Sequence, residues 1–155
     1  MAGEHEVLHL LLLSVVAFAA TVCYAVLYQI PKKALLLVGI VGLSAWLVQY
    51  LTLQVIESPV FAALVGGFLV GAFSEKLARR MRMPVTVFVV GGIVPLVPGS
   101  SAMATMREFV MGDYLEGLSR GTLTLLIASA ISAGLVLAGS LLRLDWRGKR
   151  AGKSR

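Results

Sequence analysis

Charge is scarce in this sequence. Asp, Glu, Lys and Arg make up only 14% of its 155 residues, where a soluble domain carries about 25%, and the mean hydropathy is +0.89. That deficit excludes a water-facing globular surface. A single cysteine, Cys23, allows no intrachain disulfide and lacks companions for a metal site; packing is its expected role, as for the scattered methionines. Two histidines, His5 and His9, are too few for a metal cluster. The apolar runs hold no converging Ser, His and Asp set and no paired carboxylates, so an enzyme is not expected. A Gly-rich nucleotide loop is also missing, and no cofactor is implied. The net charge of +6 could suggest nucleic acid. Its basic residues flank apolar segments, however, and serve better as orientation signals.

What fills the chain is hydrophobic: 58% of the residues. Five apolar runs, at about 7–27, 34–53, 58–75, 85–106 and 121–142, are each close to the roughly 20 residues needed to cross a ~30 Å hydrocarbon core. The expected fold is therefore all-α and membrane-embedded. A single transmembrane domain covers 1–143, and a disordered basic tail covers 144–155. Residues 1–6 are acidic and lack the basic start of a secretory signal, so the first run is expected to stay as a helix despite the cleavage-like Ala17-Phe18-Ala19. Tyr24, Tyr28, Trp46 and Tyr50 suit interfacial belts. Gly67 and Gly71 form a small-xxx-small pair, and Ala130, Gly134 and Ala138 stack along one helix face, which signals close packing without naming a partner. The second and third runs meet at a short turn, leaving open a re-entrant hairpin and four spans.

Alternating the connections across five spans sorts the basic residues sharply. Lys32 and Lys33, then Lys76, Arg79, Arg80 and Arg82, then the six of the tail give 12 on one side, against Arg107 and Arg120 on the other. The positive-inside rule places the N-terminus outside and the C-terminus in the cytoplasm, in one fixed orientation.

The most unusual stretch is Gly91 to Met106. Pro95 and Pro98 each remove a backbone donor, and with Gly91, Gly92 and Gly99 they argue against a regular helix. Carbonyls freed inside a membrane cannot face lipid, so they are buried in protein or line a wet cavity. The fourth span is expected to be broken at this Pro-x-x-Pro-Gly motif. A helix restarting after Pro98 and Gly99 would aim its amides at the break, with Ser100 and Ser101 in capping positions. Pro95, Pro98, Gly99, Ser100, Ser101 and Thr105 are the candidate substrate-binding residues. Glu75, Arg107 and Asp113 are candidates for coupling or gating. The structural alternatives are a packing kink at the break, a Glu75–Arg79 surface ion pair four residues apart, and a solvated loop around Arg107 and Asp113.

With those residues in view, the chain resembles the small-subunit branch of the threonine/serine exporter family. It is similar to the C-terminal transmembrane half of the fused exporters and to the small component of the two-component succinate exporter. The likeness rests on the Pro31 turn, the basic loop before Pro84, Pro95-Leu96-Val97-Pro98-Gly99 and Gly112-Asp113-Tyr114. Met103 stands where the family commonly carries a tyrosine, so that contact is not carried over. The resemblance implies a larger homologous subunit as partner, a small polar metabolite (threonine, serine or a dicarboxylate such as succinate) as cargo, and the inner membrane as location. An odd number of spans agrees with an inverted repeat of two related halves. The competing function is a membrane scaffold that stabilises a partner without transporting anything.

Overall fold

The computed structural model describes the backbone of residues 2–151 and the side chains of residues 8–142. Among the described residues it contains helices and no strand: α1 (Ala2–Leu27), α2 (Lys32–Ile56), α3 (Pro59–Met81), α4 (Val85–Gly92), α5 (Gly99–Met111) and α6 (Tyr114–Ala151). A 3-10 turn at Val94–Leu96 lies between α4 and α5. Helices α1, α2, α3 and α6 are each long and apolar enough to cross a membrane, and the α4–α5 pair, bent by 53°, passes the same test jointly. The second and third runs are thus full-length helices of 25 and 23 residues, not a hairpin of half-spans.

The helices outrun the apolar stretches that announced them. Helix α3 continues beyond Glu75 to Met81, and α6 begins at Tyr114, not near Gly121. Hydropathy marks only the lipid-facing part, whereas Glu, Arg and Lys propagate a helix well. An exposed Glu116–Arg120 pair at 2.8 Å reinforces the early turns of α6. The α6 backbone runs on to Ala151, through most of the stretch expected as a disordered tail from 144; residues 152–155 lie outside the described residues. The basic side chains of that tail lie outside the described residues.

Helices α1, α2 and α3 stop in one manner. Gln29, Glu57 and Arg82 adopt left-handed φ values of 55°, 53° and 54°, and each is followed two positions later by a proline: Pro31, Pro59 and Pro84. The amides of Ile30 and Met83 reach back to Ala25 and Ala78 at 3.0 Å, the six-to-one closure of a Schellman ending. Gly112 (φ 85°) ends α5 similarly, with the Asp113 amide on the Glu108 carbonyl.

Helix α3 is the centre of the bundle, packed by α6 on one side and by α2 and α4 on the other, while α1 leans on α2. The two small-residue stripes found in the sequence meet each other. A methyl built on Gly67 would lie 2.6 Å from the Ile131 carbonyl oxygen, and one on Gly71 would lie 2.8 Å from Ala138 Cβ. A methyl on Gly134 would collide with the Leu64 carbonyl and the Phe68 amide. Backbone touches backbone here, as the absence of Cβ atoms permits. On the opposite face, Gly91 and Gly92 of α4 admit Val38 and Val41 of α2.

These contacts also fix direction. Residue numbers rise together along α3 and α6 (Gly67 with Ile131, Gly71 with Ala138, Arg79 with Leu142), so the two helices run parallel. Helix α5 runs against α6, with Phe109 beside Gly117 and Thr105 beside Gly121. The bent α4–α5 pair therefore carries the chain from one end of the bundle to the other.

The packing expectation holds for Met81 and Met83, which pack against the buried cluster around Phe88, and fails elsewhere. Cys23 is exposed, because α1 buries only the stripe Ala17, Thr21 and Ala25 against its neighbours and Cys23 lies off it. Met103, Met106 and Met111 are exposed as well, because among the described residues α5 packs mainly against α6.

Candidate functional site

The interruption between α4 and α5 is built from a few backbone substitutions. Pro95 and Pro98 cannot donate to the carbonyls four residues earlier, and the Ile93 carbonyl instead accepts from both Leu96 and Val97, at 2.9 and 3.2 Å. Val97 is then extended (φ −62°, ψ 127°), and Pro98 opens α5. The near side of the break is anchored: Leu96 is 2% exposed, its Cδ2 2.7 Å from where a methyl on Gly66 of α3 would sit. The far side is not. Val97 is exposed, Gly99 has nothing within 4 Å of a built methyl, and α5 buries no residue.

Between these sides lies a cavity of about 320 Å³. Pro95, Pro98, Ser100 and Ser101 line one wall, and Trp46, Gln49 and Tyr50 of α2 line another. No Asp, Glu, Lys or Arg contributes to its lining. Trp46 and Tyr50 stack with ring centroids 5.6 Å apart and planes at 18°. Gln49 sits where α2, α3 and the break converge, its Cβ 3.5 Å from the methyl position of Gly66.

Four of the six candidate substrate residues are thus brought together; Gly99 and Thr105 are not on the wall. Thr105 faces α6, its Cγ2 3.1 Å from where a methyl on Gly121 would lie, and its hydroxyl donates to the Ser101 carbonyl at 2.8 Å. The capping expectation is also corrected. Pro98 occupies the N-cap without a side-chain bond, and the Ser101 hydroxyl donates to the Pro98 carbonyl at 2.9 Å. Because α5 begins at Gly99, the two serines fall inside its first turn, two and three positions past the cap. Their amides are bonded to no backbone carbonyl among the described residues.

The coupling and gating candidates lie elsewhere. Glu75 is buried (6% exposed) and accepts from Arg79 Nη2 at 2.9 Å, while Arg79 also reaches the Leu142 carbonyl at 3.4 Å. Pro59, at the start of α3, touches the cavity; Glu75, sixteen residues on, is therefore roughly 24 Å away along the helix. Arg107 lines a second, open depression of about 790 Å³ that adjoins the cavity at Ser100 and is bordered by Met103, Met106 and Glu108, and Asp113 is exposed in the corner between α5 and α6. No group of His, Cys, Asp and Glu that could hold a metal occurs among the described residues.

Sequence reasoning missed the α2 wall. Trp46 and Tyr50 read as interface markers, and Gln49 between them was passed over. The available signal was an amide inside an apolar run, a placement that carries a desolvation cost unless something meets it.

A family model described as "Threonine/Serine exporter, ThrE" matches residues 13–141. The chain is 29% identical over 121 residues to a threonine/serine exporter of Corynebacterium glutamicum, covering 78% of this chain and 24% of that protein. It is 26% identical over 129 residues to an uncharacterized protein of Haemophilus influenzae, covering 82% of this chain and 43% of that one. The chain spans less than half the length of either relative. No solved structure matches it.

Proposed function

Because the chain belongs to the threonine/serine exporter family, we propose that it is the small membrane subunit of a secondary exporter moving small polar metabolites out across the inner membrane. Membership in an exporter family supports a transport role for it over an enzymatic one. The observation that carries the finer reading is the cavity at the break, where Pro95, Pro98, Ser100 and Ser101 face Trp46, Gln49 and Tyr50. Such half-helix sites are how transporters place unpaired backbone groups beside a polar cargo.

The cavity's chemistry favours serine or threonine over succinate. A zwitterion brings one carboxylate, suited to the amides of the first turn of α5, and one ammonium, suited to the Trp46 and Tyr50 ring faces. A dicarboxylate brings two negative charges to a lining without a cation, and burying the second is costly. Release outward needs one wall to move. The weakly held α5 is the mobile one, and the turn anchored by Leu96 is the fixed one.

The parallel course of α3 and α6 supports counting the α4–α5 pair as a single broken span, which makes five passages with the termini on opposite sides. With the basic connections in the cytoplasm, the N-terminus lies outside. A homologous larger subunit would supply a half of opposite orientation, and the extra length of both relatives agrees with a second component.

The test is efflux of labelled serine, threonine and succinate from preloaded cells that express this chain with and without the larger family member of the same organism. Efflux of serine or threonine only when both are present is the expected result. No efflux of any of the three, with both proteins in the membrane, would overturn the exporter reading in favour of a scaffold.

A further inference from the structure

Gln49 is the one strongly polar side chain on the α2 wall of the cavity. It lies in the apolar part of a helix long enough to span the bilayer. No hydrogen bond joins its amide to any group among the described residues, although Ser44 and Thr52 of the same helix satisfy themselves on the carbonyls of Val41 and Val48. A glutamine cannot do this as easily, because its longer side chain carries the amide away from its own backbone. Gln49 is only partly buried and lines the cavity, so its amide is free to bond what enters there. Its position is also held: Gly66 lets Leu96 and Gln49 approach α3 side by side at the foot of the break.

Resting on the exporter reading above, we propose that Gln49 is the specificity-determining residue of the cavity, and that it recognises the side-chain hydroxyl of its cargo. The division of labour follows from the lining. The charged ends of an amino acid are met by the first-turn amides of α5 and by the stacked Trp46–Tyr50 rings, which leaves the neutral amide for the neutral part of the cargo. A hydroxyl both donates and accepts, and a primary amide offers both functions in return. A site built around that exchange disfavours an analogue lacking the hydroxyl, because the amide is then left unmatched. Alanine, which differs from serine by that one oxygen, is the discriminating ligand.

The test compares serine and alanine export by cells carrying this chain and the larger family member, for the wild type and for Gln49→Met, which keeps the side-chain volume and removes both polar functions. The wild type is expected to favour serine by about tenfold, the value of one well-made hydrogen bond. Gln49→Met is expected to reduce that preference to about twofold or less, with alanine export retained. Because the readout is a ratio within one variant, it does not depend on how much protein folds. An unchanged ratio, or an equal fall for both amino acids, would overturn the role of Gln49 and leave the exporter reading standing. Failure of the wild type to export either amino acid would overturn the exporter reading itself.

Discussion

The two faces of the α6–α3–α2 stack contrast with the region around α5. Along Gly67, Gly71 and Gly134 the main chains of α3 and α6 lie against each other, so that a methyl meets a carbonyl oxygen or an amide at every step. Around α5 the same kind of residue, Gly99, has nothing within 4 Å of where a methyl would sit, and the helix buries no residue. Backbone contact leaves no slack, since main-chain atoms cannot rotate away as side chains do. A helix held from one side keeps its fold and retains freedom of position. The chain thus joins a rigid pair to a loosely held arm, and the cavity lies at the junction.

The strongest way to break this comparison is Gly134→Val. Its Cβ would meet the Leu64 carbonyl and the Phe68 amide, and overpacking of that kind costs about 3 kcal/mol. The thermal stability of the purified protein in detergent should collapse. Gly139→Ala on the same helix, where nothing lies within 4 Å, should be neutral or slightly stabilising. Equal behaviour of the two variants would refute the idea of a rigid pair.

Next in size is the joint change Pro98→Ala with Gly99→Ala. No neighbour opposes a methyl at position 99, so stability should hold while the break becomes more helical. Serine efflux should then fall roughly tenfold to a hundredfold, as it does when a binding geometry shifts by about an ångström. Normal efflux would leave the break as a packing kink.

A smaller effect is expected for Glu75→Gln. It neutralises the carboxylate that the one-third-exposed Arg79 guanidinium bonds at 2.9 Å, at a cost of about 1 kcal/mol. If the pair serves packing alone, efflux per folded molecule will be unaltered. Lost efflux at unchanged stability would instead make Glu75 a coupling residue. Smallest of all is Arg120→Ala, whose pair with Glu116 is half exposed on both sides; a change under about 0.5 kcal/mol is expected by denaturation.

Much of this contrast was legible in the residues. Hydropathy located the helices, the prolines located the interruption, and the spacing of Ala130, Gly134 and Ala138 identified a close-packed face. Which face it would meet was not legible, because periodicity orients a helix without naming its neighbour. The same gap hid the cavity's second wall. Gln49 and Ser100 are 51 positions apart in the sequence, and only the convergence of α2, α3 and the 3-10 turn puts them around one space. Thr105 is off the cavity wall for a related reason. One turn beyond Ser101 on the same helix, it lies past the end of the cavity and meets Gly121 of α6 instead.

The left-handed residue, spacer and proline that join α1 to α2, α2 to α3 and α3 to α4 bear on which changes in length the chain can accept. Each additional residue within a helix turns everything after it by about 100° about the axis, and connections this short have no spare chain to absorb the error. One residue gained early in α3 would swing Gly67 and Gly71 away from α6 and set bulkier side chains in their place. Substitutions can accumulate at Gln29, Glu57 and Arg82 with modest consequence, whereas a single insertion or deletion near them would misdirect an entire helix. Among homologous chains, differences in length should therefore gather at the two ends and at the corner around Gly112, and the first three turns should keep one fixed number of residues.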